Sequence, residues 1–268
     1  MNTSSANSVI TTKQLSAGYG PKGQSPVLKS LDLSIPSASR VAIIGPNGSG
    51  KTTLLRVIAG VLPYTGSLIL TDRQGRETER SSVSGREAAK KIAFLAQISS
   101  SYFPYTVREA TLMGRYAHQS ASSLGGFSFA DKAVVDQVLN ECGLTELEHT
   151  RLAELSGGQL QRVFLARALA QQAEILLLDE MTNHLDLYYQ LELIDSIRER
   201  TRDNTIRLAL GVFHDISLAV RFAETLIVMD RGTIAIAGPS AQVIRSDQIN
   251  QVYSLNVYEQ LCSLSRGI

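Results

Sequence analysis

The sequence predicts an α/β fold: a mostly parallel sheet with helices on both faces, a small antiparallel β subdomain and an inserted helical subdomain. Three observations predict it. From Leu155 onward, segments with strand-like and helix-like apolar spacing alternate, the pattern of parallel strands joined by crossover helices. Near the start, "RVAIIGPNGSGKTTLLRVIAGVL" reads as strand, glycine-rich loop and helix in direct succession. Residues 98–154 change texture to helical periods ("TVREATLMGRYA", "DKAVVDQVLNECGL") broken by the Ser/Gly-rich "HQSASSLGGFSF". One domain, 1–268, is therefore expected. Its core and antiparallel part lie in 1–97 and 155–240, its helical subdomain in 98–154 and a short helical segment in 241–268.

Taken in order, "VLKSLDLSI" and "RVAIIG" predict early strands and "KTTLLRVIAGVL" a helix. "GSLILTDRQGRETERSSVSGREAAKKIAFLAQ" has strand-like ends around a polar, charged middle, which predicts an exposed loop beside a small sheet. No chemistry is evident in that connection. Beyond residue 155 the series runs helix "QLQRVFLARALAQQ", strand "EILLLDE", helix "LDLYYQLELIDSIRERT", strand "IRLALGVFH", helix "DISLAVRFAE", strand "TLIVMD" and hairpin "RGTIAIAG". There is no internal repeat.

Composition excludes several classes. With 268 residues, 44% hydrophobic and 19% charged, the chain has the length and apolar content of a folded domain, not of a disordered one. Lys plus Arg number 26 against 25 Asp plus Glu, so the basic excess of a nucleic-acid binder is missing and no nucleic-acid partner is expected. "MNTSSANSVITTK" lacks the apolar stretch of a secretion signal, and no apolar run approaches the roughly 18 residues that cross a bilayer. The expectation is a cytosolic chain unless something else holds it to a membrane. Cys142 and Cys262 show neither disulfide-framework nor zinc spacing and read as packing residues.

The chemistry concentrates in a few stretches. In Gly45, Pro46, Asn47, Gly48, Ser49, Gly50, Lys51 and Thr52 the glycines allow backbone angles closed to other residues, so N–H groups can crowd around phosphate oxygens. Lys51 adds a positive charge at the β/γ-phosphates, and Thr52 offers a hydroxyl to Mg²⁺. Standing between a strand and an amphipathic helix, this is the phosphate loop of a P-loop NTPase core. "ILLLDE" is a buried-strand run that delivers Asp179 and Glu180 to the sheet's carboxyl end, with side chains expected on opposite sides of the strand. Asp179 then suits the Mg²⁺ shell and Glu180 an attacking water, as general base or polariser; two acidic residues capping the helix that follows is the plain alternative. His214 ends the next strand at the same edge, where an imidazole could touch a γ-phosphate; capping or packing is the plain alternative. Gln97 closes "IAFLAQ", but an isolated glutamine supports no role on its own. For Tyr19, in "SAGYG", spacing does not choose between stacking on a base and an ordinary surface tyrosine. "LSGGQLQRV" poses a puzzle: it too reads as a helix N-terminus that attracts phosphate, yet the chain already has one phosphate loop.

Tyr19, "GPNGSGKTT", Gln97, "LSGGQ", "ILLLDE", "NHLD" and His214 stand in one order, and in that order the chain resembles the ATP-binding cassette (ABC) family, whose nucleotide-binding subunits drive transport. The resemblance spans almost the whole chain. It implies a solution to the puzzle: two cassettes pack head to tail, and each ATP lies between the phosphate loop of one and the "LSGGQ" of the other. Carried over by position, Lys51, Thr52 and Thr53 resemble phosphate and Mg²⁺ contacts, Asp179 and Gln97 the Mg²⁺ shell, and Glu180 the catalytic carboxylate. His214 resembles the switch histidine, Tyr19 the adenine-stacking aromatic, Asp186 the loop that reports across the dimer, and Ser156, Gly157, Gly158 and Gln159 the contacts to the partner's nucleotide. One departure is Met181, where the family usually has proline; that loosens a turn without removing a reactive group.

The resemblance also implies partners. In this family the region after Gln97 meets the membrane permease, and Tyr102, Phe103 and Tyr105 suit a partner groove, core packing being the alternative. "TVREATLMGRY", "TNHLDL" and the short C-terminus look most like importers of iron-siderophore, haem and cobalamin type. The expectation is a homodimeric, Mg²⁺-dependent ATPase on the cytoplasmic face of the membrane, beneath a permease fed by an external binding protein. Rival readings are a cassette for a different importer cargo, a soluble cassette acting on another macromolecule such as ribosomes or DNA, and a nucleotide-binding regulatory module without turnover.

Overall fold

The computed structural model describes residues 8–20, 25–37, 39–96, 104–119, 126–180 and 187–266. Its centre is a six-stranded sheet in the order β10-β9-β3-β8-β7-β6, built from β3 (Ser39–Ile44), β6 (Ile92–Leu95), β7 (Ile175–Asp179), β8 (Leu208–Val212), β9 (Thr225–Asp230) and β10 (Thr233–Pro239). Neighbours from β9 to β6 pair in parallel and β10 returns antiparallel on β9. A second sheet, β2-β1-β4-β5, consists of β1 (Ser8–Tyr19), β2 (Ser25–Pro36), β4 (Thr65–Thr71) and β5 (Glu77–Glu79), all antiparallel.

Both faces of the parallel sheet are covered, which explains why its strands read as unbroken apolar runs. Ala42 and Ile44 join a core with Leu176, Leu178, Val163, Leu169 and Phe222, whereas Val41 and Ile43 join another with Leu177, Leu210, Leu54, Leu55, Leu15 and Leu68. The period of two is present but hidden, because each alternate residue finds apolar company on its own side. The first face carries α3 (Val107–Leu112), α4 (Phe129–Glu141) and α5 (Gly157–Ala170), followed by α6 (Leu187–Arg202) and α7 (Ile216–Phe222). The second carries α1 (Lys51–Ala59) and the antiparallel sheet. Short helices α8 (Ser240–Val243), α9 (Asp247–Tyr253) and α10 (Val257–Arg266) close the chain, and Val243, Ile249 and Val257 sink into the first core. Among the described residues no helix is long and apolar enough to cross a membrane.

Two sequence expectations need correction. The polar connection after β4 is more than an exposed loop: it holds β5, a 3-10 turn at Arg80–Ser82 and helix α2 (Gly85–Lys91). Arg80 is buried and donates from Nε to Ile58 O (3.2 Å) and from Nη2 to Ala59 O (2.7 Å), satisfying carbonyls that the end of α1 leaves open. Arg80→Ala is expected to lower stability by about 1–3 kcal/mol, the cost of leaving such groups unmade, and a shift in urea midpoint measures it. β1 is the other omission. Its apolar alternation is interrupted by register shifts between Thr12 and Leu15 and again before Ala17, so no steady period marks it in the sequence.

Candidate nucleotide site

Strand register builds the site. Ile43 lies beside Val212, and Val212 beside Asp179, so β3, β8 and β7 end level with one another. The segments that leave these three strands therefore meet at one edge: the loop from Gly45, His214 after Phe213, and Glu180 after Asp179, with β8 in the middle.

Gly45 (φ 149°), Gly48 (φ 77°) and Gly50 (φ 102°) hold backbone angles that favour glycine, and a Cβ on Gly45 would fall 2.1 Å from Met229 O. Gly50 caps α1, whose first residue is Lys51. Lys51 Nζ curls back to donate to Gly45 O (2.8 Å) and Pro46 O (2.9 Å). Burial pulls its ammonium below the ordinary lysine range, against the opposing charges of Glu180 and Asp179. Thr52 Oγ1 donates to Asp179 Oδ1 at 2.8 Å. The other carboxylate oxygen, Oδ2, is buried without a hydrogen-bond partner, as is Ser49 Oγ. Burial, reinforced by the like charge of Glu180, pushes the Asp179 carboxyl above the usual range, while the Thr52 bond opposes the rise. An orphaned buried carboxylate oxygen beside a hydroxyl fits a hard divalent cation, which takes one or two protein oxygens and completes its shell with water and phosphate.

Glu180 lies outside β7, at φ 53°, a left-handed conformation unusual for glutamate. The strand alternation expected from the sequence thus stops at Asp179, and the turn aims Glu180. His214 Nε2 sits 2.6 Å from Glu180 Oε1. A carboxylate only accepts, so Nε2 carries the proton. This contact joins two residues 34 positions apart through the β7–β8 register.

Ser156 caps α5 in a reciprocal box: its hydroxyl accepts from Gln159 N (3.3 Å) and its own N–H donates to the Gln159 side chain (2.9 Å). Ser156 and Gly157 are exposed. The far end of α5 is fixed by Gln171, whose amide donates to Ile92 O (2.7 Å) at the start of β6. Fourteen residues span about 21 Å. Running back along β6, α5 therefore carries Ser156 to the carboxyl-end side of the sheet, on a flank three strands from β3, or about 14 Å in the sheet plane.

Tyr19 is 39% exposed; its hydroxyl accepts from Arg56 Nη1 (3.0 Å) and lies 3.4 Å from Thr53 Oγ1, which fixes the ring at the start of α1. Gln97, Met181 and Asp186 lie outside the described residues, as do Tyr102 and Phe103. Tyr105 is 38% exposed. Sequence reading missed Tyr253, from α9: burial pushes its phenol up to about 12, opposed by a backbone hydrogen bond from Gly45. No local pattern could have shown it, because the contact spans the whole core. Cys142, at the end of α4, does pack: burial pushes its thiol up to about 12.

A parallel α/β core whose strand β3 runs through a glycine loop into α1, with Thr52 and Asp179 joined at the sheet edge and a capped helix end at Ser156, defines the class. The model of the ABC transporter family matches residues 28–183, and the chain belongs to that family as an ATP-binding, ATP-hydrolysing subunit. It is 38% identical to the hemin import ATP-binding protein HmuV of Rhodopseudomonas palustris (strain HaA2), over 91% of each chain. It is 34% identical to the iron(3+)-hydroxamate import ATP-binding protein FhuC of Bacillus subtilis (strain 168), over 92% of this chain and 88% of that one. The fold is that of solved cassettes, such as a putative metal-chelate type ABC transporter in an inward-facing conformation (TM-score 0.74, 23% identity, 92% and 89% covered).

Proposed function

We propose that two copies of this chain close head to tail around ATP beneath a membrane permease, and that the assembly imports a metal chelate of iron-siderophore, haem or cobalamin type handed over by an external binding protein. The cargo reading is supported by the names of the relatives, for hemin and iron(3+)-hydroxamate import, each matched along about nine-tenths of this chain. The hydrolysis mechanism is carried by one observation: Thr52 and Asp179 are joined beside a buried, unpartnered carboxylate oxygen, directly under the phosphate loop.

Each residue then has a task. Backbone N–H groups of Gly48 to Thr53 and the Lys51 ammonium grip the phosphates. Thr52 and Asp179, with Gln97, would hold Mg²⁺, which when bound neutralises charge on the phosphate oxygens. Glu180 takes the proton of the attacking water; the single Nε2–H of His214 orients Glu180 and is the donor that turns to the γ-phosphate when ATP is bound. Tyr19 stacks on the adenine. Ser156 keeps its O–H as a donor despite accepting from Gln159, so it can join the N–H groups of Gly157 and Gly158 in gripping the partner's γ-phosphate. Gln159 fixes that end through its amide oxygen in the capping box and can donate from its amide Nε2 to the same phosphate, while Asp186 reports across the dimer. Loss of phosphate removes the charge both halves hold, and the dimer loosens.

The region just after Gln97, with Tyr102, Phe103 and Tyr105, is the proposed permease contact, and the chain works at the cytoplasmic face of the membrane. The test is recovery of tagged Glu180→Gln protein from native membranes with and without ATP, followed by mass spectrometry. A polytopic permease is expected; ribosomes or nucleic acid in its place would overturn the transport reading.

A further inference from the structure

The phosphate loop is held from a side that its motif does not announce. Gly232, in the turn between β9 and β10, donates its N–H to Ser49 O at 3.1 Å, and its own carbonyl accepts from Lys29 N at 2.9 Å in β2. It has φ 84°, and a Cβ there would fall 1.9 Å from Val27 O. β2 also presses on the loop directly: a Cβ on Gly50 would meet Leu28 Cδ2 at 2.9 Å. The turn's backbone thus lies against that of β2 more closely than any side chain between them would permit, hydrogen-bonds the loop at Ser49, and leaves β2 to touch the loop through the Leu28 side chain. β2 pairs with β1, and Tyr19 sits in that pairing opposite Ser25.

We propose that the Arg231–Gly232 turn is a positioning element of the nucleotide site. Gly232 fixes the phosphate loop through Ser49 and fastens it, through Val27 and Lys29, to the antiparallel sheet that carries Tyr19. The turn thereby sets the distance between the phosphate end and the base end of the site. It touches no reacting atom, so its effect falls on nucleotide affinity and not on the chemical step. The inference rests on the reading of this site as the ATP site.

Gly232→Ala tests it, with Gly238→Ala as control, because a Cβ at Gly238 meets nothing closer than Val243 at 3.7 Å. Equilibrium binding of a fluorescent ATP analogue, KM and kcat are measured at a temperature where circular dichroism shows all proteins folded. Gly232→Ala is expected to weaken binding and raise KM roughly tenfold with kcat little changed, the pattern of a lost interaction that holds ground state and transition state alike. A merely structural glycine would lower the melting temperature and leave affinity alone, and binding equal to that of Gly238→Ala overturns the proposal.

If Gly232→Ala does not fold, hydrogen exchange on the unmodified chain decides. By reciprocity, filling the loop must stabilise the turn that positions it. ATP is expected to slow exchange across 231–238 as well as 45–52, but not across the distant turn at 72–76. Unchanged exchange in 231–238 overturns the proposal. Failure of the unmodified chain to bind ATP at all would instead overturn the reading of the site.

Discussion

Glu180→Gln is expected to cut Mg²⁺-dependent phosphate release by about 10²–10⁴-fold, the usual contribution of a positioned general base. ATP binding should survive. The substitution keeps the size of the side chain and leaves an amide oxygen to accept from His214 Nε2, so the 2.6 Å contact and the left-handed turn at Glu180 can both persist. What is lost is the ability to take a proton from water. It also removes a negative charge that opposes ionisation of Asp179, so the Asp179 carboxyl should fall towards its ordinary range. Phosphate release measured beside equilibrium ATP binding separates the two effects. Equal turnover in both proteins would remove Glu180 from the mechanism, and loss of binding would show that it acts on the cradle instead.

Gly157→Asp has the second large expected effect, and it separates the two phosphate-attracting ends. At the first position of α5 an aspartate suits the helix dipole, so folding is unharmed. The same carboxylate stands where the partner's γ-phosphate is proposed to dock. Turnover should fall about a hundredfold or more, the cost of spoiling a preorganised anion contact. Binding of ATP to the isolated chain should be unaffected, because α1 and the loop from Gly45 lie on another flank of the sheet edge. In a Glu180→Gln background, ATP-dependent dimers seen by light scattering should disappear. Full turnover with Gly157→Asp would refute the head-to-tail sandwich.

How far the sequence reveals the site depends on how local each interaction is. The loop Gly45–Thr52 is legible because its chemistry is contiguous: three glycines with positive φ, one lysine that turns back on the loop's own carbonyls and one helix that begins within it. The cap at Ser156 is legible for the same reason, since its partner Gln159 is three residues away. The strand "ILLLD" is recognisable by its apolar run, although the two faces hide their alternation. The antiparallel sheet is far less legible. β1 slips register repeatedly, and the value of Arg80 lies in carbonyls more than twenty residues back.

By itself, then, the sequence determined the phosphate loop, the capped helix end of "LSGGQ" and the apolar strand that carries Asp179, because each is encoded by neighbours along the chain. Only the tertiary structure decided that His214 meets Glu180, that Thr52 meets Asp179 and that Gly232 grips Ser49. Those contacts depend on the β3-β8-β7 register and on how a hairpin and a second sheet close over the loop. Register is a property of paired strands, and no single strand's sequence contains it.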